Sequence, residues 1–227
     1  MPQVPDHALL LTDDEVVALA CARSVAWPGG LPTVDDEDRS QLLAAAFRGD
    51  RSLLVRGLRR PDNPDSEAET LADAVIGSPA RITVYLGDST FARATWGLAS
   101  SHYGGGDEWV LETISPVGIH RFDRQPVDDH LGYLGALLAG GVEAGPKPDQ
   151  SAVVTAEGGP EWLCMLSESA TTTTLVAARH GEVVLGPVEI VNGTLRLAGA
   201  LAPADLASAV AHLQDRIEGA AGAGRQP

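Results

Sequence analysis

The sequence predicts an α/β protein of the α+β type, made of two related units of mainly antiparallel sheet with helices packed on one face. Three observations carry this. A strand–turn–proline–helix phrase occurs twice, as VGIHRFDRQPVDDHLGYLGALL at 117–138 and TLRLAGALAPADLASAVAHL at 194–213. The hydrophobic period changes from about 3.6 to 2 at Arg81, which marks a passage from helices to strands. In each half a run of strands then precedes a helix, whereas a doubly wound fold would alternate the two more regularly.

Taken in order, Thr12-Asp13-Asp14-Glu15 forms a capping box, and the helix it opens carries Val16, Val17, Leu19 and Ala20 until Pro28-Gly29-Gly30 stops it. A second helix is expected from the acidic stretch Asp35–Asp38, where negative charge suits the positive end of the helix dipole. It should present Leu42, Leu43, Ala46 and Phe47 on one side and stop near Gly49. Ser52–Leu58 fits either a short strand or a turn packed on the core. After a loop at Pro61–Asp65, Ser66-Glu67-Ala68-Glu69 offers another capping box and a helix with Leu71, Ala74 and Val75 on one stripe.

Ile82, Val84 and Leu86 alternate with Thr83 and Tyr85 as a half-buried strand requires. A turn at Gly87–Thr90 should lead to a hairpin partner at Phe91–Leu98, and further strands are expected at Trp109–Ser115 and Val117–Phe122. Pro126 suits the first turn of a helix bearing Val127, Leu131, Leu134 and Leu138. Gly140–Gln150 reads as a linker, so domains of 1–140 and 141–227 are expected. Strands then follow at Ala152–Thr155, Trp162–Leu166, Thr173–Arg179, Val183–Leu185, Val188–Val191 and Thr194–Leu197. A last helix should start near Pro203 with Leu206, Val210, Leu213 and Ile217, before a tail with little to bury.

At 227 residues the chain can bury a substantial core. Its net charge of −15, from 31 acidic and 16 basic residues, repels phosphate backbones, so no nucleic-acid partner is expected. No segment has the apolar length for stable membrane insertion. MPQVPDHALL lacks the basic region and apolar stretch of a secretory signal, which makes the cytoplasm the expected compartment. Lys147 is the sole lysine, and the Arg, Ala, Gly and Pro bias is that of a GC-rich actinobacterial genome. Cys21 and Cys164 are expected to be reduced and buried.

No motif points to catalysis. His130 follows Asp128 and Asp129 in a helix's opening turns, where the acids serve the dipole and the histidine is expected as a surface neighbour. His120 falls in a strand, and His102 and His180 lack local partners. There is no H-E-x-x-H metal pattern, no nucleophile elbow and no phosphate loop, because Gly104-Gly105-Gly106 precedes a strand instead of opening a helix. Cys164, between Leu163 and Met165, reads as a core thiol, and the hydroxyls of Ser167, Ser169 and Thr171–Thr174 lack a placed base. Neither a catalytic residue, a metal nor a cofactor is expected. Tyr103, Trp109 and Phe122 are candidate partner-binding residues, weighed against an ordinary core role for each.

LLAAAFRGDRSLLVRGL at Leu42–Leu58, the helix at 66–76 leading into the Ile82 strand, and the Ala178-Arg179-His180-Gly181 hairpin make the chain resemble the EspG-like family of ESX (type VII) secretion-associated proteins. The resemblance covers most of residues 12–217. It implies two related α/β halves in a quasi-two-fold arrangement and a cytosolic, non-enzymatic chaperone. Such a chaperone holds the apolar helical tip of a PE–PPE secretion substrate. The rival readings are a general interaction or homodimerisation module on the same fold, and, from another class, a hydrolase.

Overall fold

The computed structural model describes residues 8–60, 63, 65–87, 97–104, 108–144, 162–169, 172–191 and 194–223. The expected turn at Gly87–Thr90, most of the Phe91–Leu98 partner, Gly105 and Gly106, most of the Gly140–Gln150 linker and the Ala152–Thr155 strand lie outside them. Two compact units form, Met1–Ser78 with Val110–Arg124, and Pro79–Trp109 with Gln125–Pro227.

The first unit holds β1 (Leu9–Thr12), α1 (Asp13–Ala22), α2 (Arg39–Val55) and α3 (Glu67–Ile76), with most of β4 (Glu108–Ile114) and of β5 (Ile119–Pro126). The capping box at Thr12 is present, with Glu15 returning 2.9 Å to the Thr12 N–H. Ser66 starts α3 through its carbonyl, which accepts from the Thr70 N–H at 2.9 Å, but its buried hydroxyl makes no cap bond. β1 was not expected; it pairs antiparallel with β5 from Leu9↔Phe122 to Thr12↔Ile119, and β5 in turn pairs with β4.

The helix α2 corrects the expected stop at Gly49, because it continues through Ser52 to Val55. Gly49 is a packing residue: a Cβ there would lie 1.9 Å from the Asp14 carbonyl oxygen, so only glycine lets α2 come this close to α1. Val17, Val34 and Ala45 form the small core between them, with Leu42 and Ala46 at its margin.

The second unit is a large antiparallel sheet with helices against it. Its strands β2 (Ala80–Gly87), β3 (Gly97–Gly104), β6 (Trp162–Ser169), β7 (Thr173–Arg179), β8 (Glu182–Val191), β9 (Thr194–Leu197) and β10 (Ala202–Ala204) run in the order β3-β2-β6-β7-β8-β10, with β9 also on β8. The expected strands at Val183–Leu185 and Val188–Val191 are one strand, because Pro187 falls where pairing with β10 has ended and pairing with β9 begins. Two helices of 18 residues, α4 (Val127–Ala144) and α5 (Leu206–Ala223), each follow a run of strands. Leu134 and Leu138 of α4 and Ala209 and Leu213 of α5 share one core with Ile82, Val84, Leu86, Leu163, Met165 and Val176. Neither proline lies in its helix, since Pro126 is the last residue of β5 and Pro203 lies in β10, and Asp205 caps α5 by accepting from Ser208 N–H at 2.7 Å.

Candidate partner-binding surface and two buried histidine clusters

Asp38 caps α2, its carboxylate accepting from the Ser40 hydroxyl and from the N–H groups of Ser40 and Gln41, and these bonds, the hydroxyl's first, hold it below the ordinary aspartate range. From there the chain places apolar doublets at Leu42-Leu43, Ala46-Phe47 and Leu53-Leu54. At about 100° per residue a doublet cannot face one way. Leu42, Ala46 and Leu53 take the inner side, while Phe47 is 79% exposed, Leu43 50% and Leu54 42%. The expected single face of Leu42, Leu43, Ala46 and Phe47 is therefore two faces, and the outer one is a mostly apolar ridge in which half-exposed Asp50 stands between Phe47 and Leu54. Such a ridge is an interaction feature more often than an isolated exposed leucine is. The width of the doublets was the available signal.

Behind α1 lies the first histidine cluster. His120 of β5 donates from Nδ1 to Glu112 Oε1 at 2.7 Å and from Nε2 to Asp13 Oδ1 at 2.6 Å, with all three side chains buried. Trp27 Nε1 adds a bond to Glu112 Oε1 at 3.0 Å, and Thr33 binds Asp13 Oδ2 through both its N–H and its hydroxyl at 2.6 Å. Burial on its own lowers the His120 pKa, but the bonds and charges of Asp13 and Glu112 outweigh it and raise the value to about 9. Burial likewise pushes Asp13 up, and its bonds from His120 and Thr33 win, leaving it below its ordinary value. Gly118 turns β4 into β5 at φ +71° and lies so close that a Cβ would stand 2.6 Å from Asp13 Oδ2. Beside this clamp Glu15, also buried, meets Arg56 at 2.6 Å and Ser52 at 2.7 Å.

The second cluster lies in the other unit. Ser100 Oγ and His102 Nε2 are 2.9 Å apart, His102 Nδ1 and His130 Nε2 3.1 Å, and His130 Nδ1 and Gln125 Oε1 3.4 Å. With Gln125 as acceptor, one proton pattern satisfies the whole chain. Each imidazole carries its proton on Nδ1, and the Ser100 hydroxyl donates to His102. Trp109 stacks on His130 at 4.9 Å, and Tyr133 lies 5.8 Å from His102. His130, expected at the surface, is thus fully buried, because the first turn of α4 faces the sheet at this point. Burial lowers both pKa values, His130 to about 4 and His102 well below its ordinary value, with the neighbouring His130 adding to the effect on His102.

The order serine–histidine–histidine resembles a nucleophile with its base and orienting group, but Ser100 and both rings are buried away from any substrate. Cys164 is buried and its thiol is pushed well up by that burial, while Cys21 is exposed, contrary to expectation. His180 Nδ1 lies 2.9 Å from the Glu143 carbonyl oxygen. Among the described residues no group of three or more histidine, cysteine or acidic side chains is placed to hold a metal ion. No helix among them is long and apolar enough to cross a membrane.

Tyr103, Trp109 and Phe122 are all interior, none more than 2% exposed. Trp109 and Phe122 belong to the two histidine clusters, Phe122 meeting Trp27 edge-on at 5.9 Å. The chain is thus an α+β protein that leaves Leu43, Phe47 and Leu54 of α2 exposed. Among solved structures the chain is similar to the Mycobacterium tuberculosis type VII secretion system chaperone EspG5, solved in complex with a PE25-PPE41 dimer. The two are 11% identical, with 93% of this chain and 96% of that chain covered and a TM-score of 0.49, a likeness that assigns no function. No family model matches the chain, and no curated protein does.

Proposed function

We propose that this protein is a non-catalytic binding chaperone for a PE–PPE-like secretion substrate, which it holds on the cytoplasmic side by that substrate's apolar helical tip. The observation that carries the reading is the ridge of Leu43, Phe47 and Leu54 on α2. It lies within Leu42–Leu58, one of the three stretches on which the resemblance to the EspG-like family rests. A helix laid along this ridge would bury apolar area at about 25 cal/mol per Å², though ordering and immobilisation offset part of it. A partner reaches Tyr103, Trp109 or Phe122 only if the chain covering them moves, so the ridge is assigned the first contact.

The test is co-expression with a PE–PPE pair from the same genome, followed by purification through a tag on this chain. The pair should co-purify with the native protein and be lost with Phe47→Asp. A pair that never co-purifies, or that binds the variant equally well, removes the reading.

A further inference from the structure

Thr172, Thr173 and Thr174 belong neither to the ridge nor to a histidine cluster. Side chains alternate along β7, so Thr172, Thr174 and Val176 share one side. Val176 joins the core there with Leu213 of α5. At the threonines Arg216 of α5 reaches the sheet, donating from Nη1 to Thr172 Oγ1 at 2.5 Å and from Nη2 to Thr174 Oγ1 at 2.7 Å. Other arginines held by side chains grip carboxylates: Arg23 holds Glu69 and Asp73, Arg48 holds Asp14, Arg59 holds Asp50 and Arg179 holds Glu182. Arg216 meets no carboxylate among the described residues, and Asp215 beside it in sequence is exposed. His212, one turn earlier, keeps its Nε2 buried without a hydrogen-bond partner among the described residues. Its pKa is lowered by burial and then by the Arg216 charge, with Asp215 opposing them. Burying a charge is favourable only with a partner, so this half-buried guanidinium, gripping two neutral hydroxyls, is suited to an anion.

We propose that Thr172 is a phosphorylation site and that Arg216 receives its phosphoryl group. Thr172 is exposed and precedes the paired stretch Thr173–Arg179, so a protein kinase can reach its hydroxyl. Thr174 is buried, in register with Ser167 of β6 and Pro187 of β8, and is out of reach. In the transfer, Thr172 Oγ1 bonds to the terminal phosphorus of a nucleoside triphosphate and gives up its proton to the kinase. The bond from that phosphorus to the nucleoside diphosphate breaks. The product carries close to two negative charges at neutral pH and three strong acceptor oxygens. Arg216 then exchanges the Thr172 hydroxyl for phosphoryl oxygens and keeps Thr174 on Nη2, a geometry that suits its planar fork. An ion pair is thereby added to the hydrogen bonds that fasten α5 to the start of β7. All of these residues lie in the second unit, and nothing in the proposal rests on the chaperone reading.

Two measurements on the full chain test this. Protein purified from its native cells with phosphatases inhibited should carry phosphate on Thr172 and none on Thr174, read by peptide mass spectrometry. Full chain made with phosphothreonine at position 172 then tests the receptor by phosphorus NMR. Its phosphate should titrate about one pH unit below the ordinary value near 6, roughly a tenfold shift in the proton equilibrium. Arg216→Gln should abolish that shift, and Arg216→Lys should keep most of it. A residue that merely fastened α5 would not move the phosphate titration. In denaturing urea the shift should also vanish, which keeps the test decisive should Arg216→Gln fail to fold. Thr172 without phosphate in growing and stationary cells alike overturns the proposal. So does a phosphate that titrates at its ordinary value in the folded chain, or one whose shift survives Arg216→Gln or unfolding.

Discussion

The first unit buries a histidine as a cation and the second buries a pair of histidines as neutral rings. His120 sits between Asp13 and Glu112, with a carboxylate on each nitrogen. His102 and His130 have each other, a hydroxyl and an amide. Burial acts on all three in the same direction, against the charged form, and the carboxylates decide the result. The difference has a structural use. The ionic clamp joins α1 to β4 and β5 across long stretches of chain, where strong directional bonds fix the strands' relation to the helix. The neutral chain fastens the start of α4 over β3 beneath a stacked tryptophan, with little charge to solvate.

Removing the clamp's centre is the largest perturbation expected. His120→Leu strands two buried carboxylates, and breaking a buried ionic pair by deleting one partner costs roughly 3–5 kcal/mol. His130→Phe keeps a ring against Trp109, leaves the buried His102 N–H without an acceptor and takes its donor from the part-exposed Gln125 Oε1, a loss of about 1–3 kcal/mol. Urea unfolding of both variants measures the contrast. Equal losses would mean that Asp13 and Glu112 are satisfied without the imidazolium.

The same contrast should appear as opposite pH limbs. For His120 the folded value, about 9, lies above the ordinary 6.5, so the folded state binds more protons. Its stabilisation is full below 6.5 and is lost as pH rises through about 9. For His130 the folded value, about 4, lies below 6.5, so the unfolded state binds more protons and stability is lost as pH falls from 6.5 towards 4. At about 1.4 kcal/mol per unit each limb spans roughly 3 kcal/mol. Stability should therefore peak near neutrality. His130→Phe should shorten the acid limb, to which the still-buried His102 goes on contributing, and leave the alkaline one, whereas His120→Gln should flatten the alkaline limb and leave the acid one. A variant that flattens the wrong limb breaks the assignment.

A smaller effect probes how the clamp is held in place. Asp13 is the first residue of α1, and Gly49 sets how closely α2 approaches that helix. Gly49→Ala must open the contact with the Asp14 carbonyl, and overpacking of this kind costs about 1–3 kcal/mol. The alkaline limb should move to lower pH as Asp13 draws back from His120, while the acid limb stays. A uniform loss at every pH would show that the clamp does not depend on the α1–α2 approach.

The sequence made some of this legible. The Thr12 cap, the alternation at Ile82–Leu86 and the two long helices after runs of strands follow from local chemistry, which a short window contains. The clamp does not, because Asp13 and His120 are 107 positions apart and neither has a telling neighbour. His102 and His130 meet over 28 positions and only through the sheet. Gly49 misled for a related reason: in a single sequence a stopping glycine and a close-packing glycine are the same letter, and α1 alone distinguishes them. Both prolines misled in the same way: Pro126 is the last residue of β5 and Pro203 lies in β10, so each precedes its helix instead of opening it.

The smallest stability effect is expected at the ridge, where it is the most informative. Phe47 touches neither cluster and is mostly exposed, so Phe47→Ser should change the free energy of unfolding by no more than about 0.5 kcal/mol and leave both pH limbs unaltered. If Phe47 anchors a partner helix, the same substitution should weaken that complex by roughly 2 kcal/mol, the scale of a central aromatic contact. Unfolding and binding measured on one preparation therefore separate two kinds of residue: those that hold the chain together through buried charge or buried neutrality, and those left apolar at the surface at some risk to solubility. A stability loss as large as that of His130→Phe would place Phe47 with the first kind, and the ridge would then be part of the core.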